Sequence, residues 1–163
     1  MSAAIMDERD NELSLLFQST VEAYKIFQKL AETLRNPMSA QMFAKFAAEE
    51  REHRDLIEIK HSSGNTRMSA TLAGDSRFID TIEGDLAPTE LVESLILRER
   101  TMAMRLAENA KTSHGDKALL TYVAGTKRSH VVLLERELEL LRVHPDWFKR
   151  EDAESLLVGE TLR

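Results

Sequence analysis

Glu50-Arg51-Glu52-His53 sets a carboxylate and an imidazole three residues apart. On a helix that is close to one turn, so both side chains project together and can grip one cation. At 100° per residue, Glu50 and His53 fall in the middle of an apolar stripe made of Met42, Phe43, Phe46, Ala47 and Ile57. Glu99 falls in the middle of a second stripe, and Lys127 and His130 lie on a third. A charge inside a packed core is costly unless it is paired or bound to metal. Five such positions at similar depth therefore call for one common explanation.

Two explanations compete on the residues alone. Glu50, His53, Glu99 and His130 can hold a metal ion, as imidazoles and carboxylates suit iron, manganese and zinc. Alternatively, Lys127, which offers no lone pair while protonated, pairs with Glu50 and Glu99 and supplies the positive charge itself. Other polar residues invite plainer readings. Tyr24 lies inward one turn from Thr20 and is expected to be a core tyrosine with its hydroxyl satisfied. The Met and Phe positions at 38, 42, 43, 46 and 102 are expected to be core packing. His61, His114 and His144 fall near helix ends, and runs such as Glu135-Arg136-Glu137 read as mostly solvated faces with i,i+4 pairs.

Four long helical stretches must position these residues. The first is expected from about Asp7 to Arg35, ending at Asn36-Pro37, and the second from Pro37 to about His61. Ser62-Ser63-Gly64-Asn65-Thr66 then breaks the pattern. The polar segment up to Pro88, with a short apolar island at Phe78, Ile79 and Ile82, reads as a crossover long enough to return along a bundle. Helix three is expected over about Thr89 to Thr112, and helix four from Asp116, a reasonable N-cap, to about His144. Two hairpins joined by one long crossover make an all-α four-helix bundle of ferritin-like connectivity. The halves echo each other at an offset of 77, where Met42-Phe43, Phe46-Ala47 and His53 meet Leu119-Leu120, Val123-Ala124 and His130. Residues 1–144 form the bundle on this reading, and residues 145–163 a short amphipathic tail with Trp147, Phe148, Leu156 and Leu157.

Composition narrows the classes. Only six glycines and three prolines in 163 residues argue against a turn-rich β fold. A net charge of -6 gives no electrostatic basis for binding nucleic acid or an anionic membrane. With no cysteine, disulfides, thiolate zinc sites, iron–sulfur clusters and cysteine nucleophiles are excluded. No apolar run is long enough to span a bilayer, and the start MSAAIMDERDNE turns acidic where a secretory signal would turn apolar. The expectation is a soluble cytoplasmic protein.

Phe43-Ala44-Lys45-Phe46-Ala47-Ala48-Glu49-Glu50-Arg51-Glu52-His53, preceded by Ile26-Phe27-Gln28-Lys29-Leu30-Ala31-Glu32, resembles the ferritin-like superfamily and within it the rubrerythrin-like branch. The resemblance covers about Leu13 to Leu141 and is stronger in the first hairpin. It implies a di-iron or di-manganese carboxylate site built from two Glu-x-x-His steps and one carboxylate from each remaining helix. On that pattern Glu50 is a metal-bridging carboxylate, His53 a terminal imidazole and His130 the second motif's histidine. Lys127 stands where the second motif has its glutamate, and the first helix turns Phe17 and Thr20 inward while Glu22 points away. On helix three the internal repeat nominates Glu93 and periodicity nominates Glu99, of which Glu99 lies nearer the centre of its stripe.

The resemblance implies iron-dependent redox work on peroxide or oxygen. A separate electron donor protein would be needed, since this chain has no rubredoxin-type centre. The departures imply a degraded di-metal site, holding one Fe, Mn or Zn ion or none, with Lys127 filling it in the metal-free case. A homodimer, with the tail around Trp147 packing across it, is also expected.

Overall fold

A computed structural model describes residues 2–62 and 86–161. The expected crossover, with its Phe78-Ile79-Ile82 island, lies outside the described residues. Four long helices follow in order: α1 Ser2–Thr33, α2 Pro37–Ser62, α3 Pro88–Thr112 and α4 Lys117–Val143. A 3-10 turn at Trp147–Lys149 and a short α5, Ala153–Thr161, complete the chain. The fold is an all-α bundle of the ferritin-like kind. No described helix is long and apolar enough to cross a membrane.

Local chemistry sets the helix ends. Between α1 and α2, the Asn36 side-chain oxygen accepts from the backbone N–H of Met38 (2.9 Å) and Ser39 (3.2 Å), and Pro37 begins the helix. Those contacts satisfy two of the donors that a helix start leaves unpaired. Between α3 and α4 the chain turns through Gly115, whose φ of 103° suits a residue with no Cβ. Asp116 occupies the N-cap position of α4 as expected but makes no side-chain capping bond; its own N–H donates to Ser113 Oγ at 3.2 Å.

α1 pairs closely with α2, and α3 with α4; the two hairpins meet mainly through α2 and α4. Two apolar clusters fill the interior. One, at the α1–α2 turn, gathers Phe27, Phe43, Phe46, Leu95 and Leu134 with Trp147 and Phe148 from the segment after α4. The other holds Leu13, Phe17, Ile57, Leu106, Leu120 and Val123. Between them lies a layer of buried polar residues: Thr20, Glu50, His53, Glu99, Lys127 and His130. Met38, expected in the core, is instead 37% exposed, because it sits in the first turn of α2 beside the cap.

Candidate metal centre

Each helix brings its inward stripe to the polar layer. Phe27 of α1 packs on both Phe43 and Phe46 of α2, at ring-centroid distances of 6.0 and 5.3 Å. α1 and α2 are antiparallel, so two turns beyond that contact Thr20 comes opposite Glu50 and His53. The Thr20 hydroxyl is turned back to the Leu16 carbonyl, 2.7 Å away. From α4, Lys127 reaches across to both remaining acids. Its Nζ lies 2.6 Å from Glu50 Oε1 and 2.9 Å from Glu99 Oε2, with all three side chains sealed from solvent.

His130, one turn further along α4, has Nδ1 2.8 Å from Glu99 Oε1. Its ring stacks on Phe46 at 3.9 Å, and its Nε2 faces Glu49 Oε2 at 3.5 Å, an ion-pair distance without hydrogen-bond alignment. His53 lies with Nδ1 3.4 Å from Glu50 Oε2, and neither of its ring nitrogens has a hydrogen-bond partner. Glu50 Oε2 and His130 Nε2 likewise lack one. In a layer this deeply buried, such atoms are expensive to leave unpaired.

The electrostatics follow from these distances. Burial alone would raise the Glu50 carboxyl, yet the Lys127 ammonium and the His53 ring hold it down at about 2. Burial would likewise strip the proton from Lys127, but the Glu99 and Glu50 carboxylates hold it above the ordinary lysine range. His130 is raised as well: its desolvation is outweighed by Glu49 and Glu99. The Lys127 ammonium thus faces two buried carboxylates, beside a His130 ring that Glu49 and Glu99 hold toward its protonated form.

Glu50, Glu99 and His130 each offer a ligand atom, and those atoms lie within 4.8 Å of one another. This is a donor set for one ion at most. A dinuclear centre needs further carboxylates on α1 and α4, where this chain has Thr20, bonded to its own helix, and Lys127, whose ammonium lies between the two acids. The residues present do not fit a di-iron or di-manganese group.

Glu50, His53, Glu99, Lys127 and His130 come together in this layer. Glu93 does not join them. It is 57% exposed and faces Arg142 of α4 at 3.8 Å, since the repeat alignment that nominated it is one helical face out of step. Glu137 requires a correction in the opposite sense. It is 2% exposed rather than solvated, and its Oε2 accepts from Trp147 Nε1 (2.7 Å) and Ser39 Oγ (3.0 Å). Its place three residues after Leu134 and four before Leu141 on the inward stripe was the available signal. Glu49, which approaches His130 from the flank of α2, had none.

A scan against family models matches the rubrerythrin model over residues 13–138. Comparison with curated proteins and with solved structures returned no match. The matched span runs from the first buried turn of α1 to the last buried turns of α4 and contains every residue of the polar layer. With that span, the bundle and the Glu/His cluster in agreement, the chain belongs to the rubrerythrin family.

Proposed function

We propose that this protein is a rubrerythrin-family bundle that works without a resident dinuclear metal centre. Lys127 holds together the carboxylates that would otherwise bind metal, and the bundle serves as a structural or interaction scaffold. The observation that carries this reading is the Lys127 ammonium, within 3 Å of both Glu50 and Glu99 and shielded from water. A cation at that point repels a metal ion and offsets the charge of the acids. The buried pair is no proof of extra stability, because desolvation offsets much of its attraction. Its consequence is for chemistry: the charge that a metal would supply is built into the chain.

A second reading is favoured by the unpartnered nitrogens of His53 and His130 and by Glu50 Oε2. Here one divalent ion, with iron the family's choice, is held by Glu50, Glu99 and His130, with His53 beside them. It displaces Lys127 and supports peroxide or oxygen reduction with electrons from a separate donor protein. Binding in that case must expel protons from His130 and neutralise or move Lys127, so affinity rises with pH.

Metal content separates the two. The protein is purified without chelator from cells grown with added iron and manganese, beside Lys127→Glu, and metal per chain is measured by elemental analysis. An empty parent with a metal-bearing Lys127→Glu supports the first reading. One ion per parent chain supports the second, and two overturn both.

A further inference from the structure

Where α1 gives way to α2, a cleft of about 420 Å³ opens at the end of the bundle. It lies between the last turn of α1, the first turn of α3 and the 3-10 turn that follows α4. Its volume is in the range of pockets that take one small molecule. Leu30, Leu91 and Phe148, all buried, form the floor, and the half-buried Leu34 and Leu86 line the sides. Phe148 is fixed there from two directions. Its ring packs on Phe43 of the core at 6.4 Å, and its carbonyl accepts the backbone N–H of Asn36 at 3.1 Å.

The charges on the rim say what the cleft would hold. Arg35 and Lys149, the next residues on either side of that Asn36–Phe148 bond, both line it. Both are exposed, and neither forms an ion pair among the described residues. Clefts elsewhere on the bundle are lined by acids together with bases: Glu93 and Glu135 with Arg100 between α3 and α4, and Glu12 and Glu22 with Arg105 between α1 and α3. The rim here carries two bases and no acid, in a chain with 28 acidic residues to 22 basic ones. Two like charges on one rim repel, and an anion placed between them relieves the repulsion. A bare inorganic anion, however, would leave the leucines and Phe148 facing water. An uncharged hydrocarbon would cover them and leave both cations without a counter-charge. The occupant that meets both demands has an aliphatic body and an anionic end.

We infer that this cleft is a binding site for an aliphatic carboxylate, of which a fatty acid is the simplest case. The chain lies on Leu30, Leu91 and Phe148, and the carboxylate is held between the Arg35 guanidinium and the Lys149 ammonium. Arginine is suited to this because its planar fork can pair both carboxylate oxygens at once, while lysine adds a point charge. The inference is independent of whether the polar layer binds metal, and its outcome leaves that question untouched.

Isothermal titration of the full chain with decanoate, kept below its micelle concentration and at low salt, tests it. Decanol serves as the probe without a charge and butyrate as the probe without a chain. Arg35→Glu/Lys149→Glu reverses the rim, and Arg35→Gln/Lys149→Gln only neutralises it; both side chains are exposed, so the core is left intact. The parent is expected to bind one decanoate per chain, with decanol weaker and butyrate unable to compete. The reversed rim is expected to weaken decanoate by about tenfold or more, since two attractions become two repulsions, and to leave decanol unchanged. The neutral rim should fall between the two. A parent that takes up no decanoate saturably overturns the inference. So does a reversed rim that binds decanoate as tightly as the parent, which would put the site elsewhere. Butyrate competing as well as decanoate also overturns it, because the apolar floor would then contribute nothing.

Discussion

Replacing Lys127 by Met keeps most of the side chain's volume and removes its charge, leaving Glu50 and Glu99 facing each other in a sealed layer. The cost can be worked from Glu50 itself. Its carboxyl is held at about 2, against an ordinary 4.5, although burial pulls it the other way. At roughly 1.36 kcal/mol per tenfold change in proton affinity, that displacement is worth about 3 kcal/mol, supplied by Lys127 together with the His53 ring. This agrees with the roughly 3–5 kcal/mol lost when one partner of a buried ion pair is removed. The sign with pH is equally definite. In the parent, Glu50 is depressed, so its contribution is present above 4.5 and is lost as pH falls toward 2. In the variant, burial without the ammonium raises the same carboxyl, so stability is lost as pH rises past 4.5. The deficit of Lys127→Met is therefore largest at pH 7.5 and shrinks toward pH 4.5. Urea denaturation of both proteins at the two pH values, with chelator present so that metal does not mask the effect, measures it directly. A Lys127→Met variant as stable as the parent at pH 7.5 would refute the reasoning, because Lys127 would then not be holding the acids.

Further predictions concern the rest of the layer and the C-terminal segment. Thr20→Glu/Lys127→Glu supplies carboxylates on α1 and α4 and is expected to raise bound metal from near none to about two ions per chain by elemental analysis. Glu137→Leu leaves the Trp147 and Ser39 donors unpaired and should cost about 2–3 kcal/mol, whereas Glu137→Gln keeps an acceptor and should stay within about 1 kcal/mol. Burial raises the Glu137 carboxyl against the hydrogen bonds from Trp147 and Ser39, so the parent loses stability as pH rises above 4.5 through it; Glu137→Gln removes that slope, with Trp147 fluorescence as the probe. Asn36→Ala removes the α2 cap and the Asn36 Nδ2 bond to the Trp147 carbonyl (2.8 Å) and should lower stability by about 2 kcal/mol in thermal unfolding.

Period and punctuation made the bundle legible before any coordinates. Asn36-Pro37 ends one helix and starts the next where expected, and the inward stripe of α2 carries the buried residues assigned to it. The polar layer was legible for the same reason: Glu50, His53, Glu99, Lys127 and His130 interrupt apolar stripes, and only a shared centre accounts for that. Glu93 was misplaced because an internal repeat aligns residues without fixing their rotation about the helix. Glu137 was misjudged because its charged neighbours Glu135 and Arg136 made the run look solvated, while its partners Trp147 and Ser39 are distant in sequence. The first helix begins at Ser2 rather than near Asp7, since Ala3 and Ala4 extend a helix readily without contributing to an apolar stripe.

On the proposed function an ammonium, not a metal pair, sits between Glu50 and Glu99. Anomalous diffraction at the iron edge, from crystals of the parent protein grown with excess Fe(II) under anaerobic conditions, tests it at the atoms concerned. No anomalous peak is expected between the two carboxylates, with the Lys127 side chain in density there. Two anomalous peaks between Glu50 and Glu99, with Lys127 swung away, would contradict it.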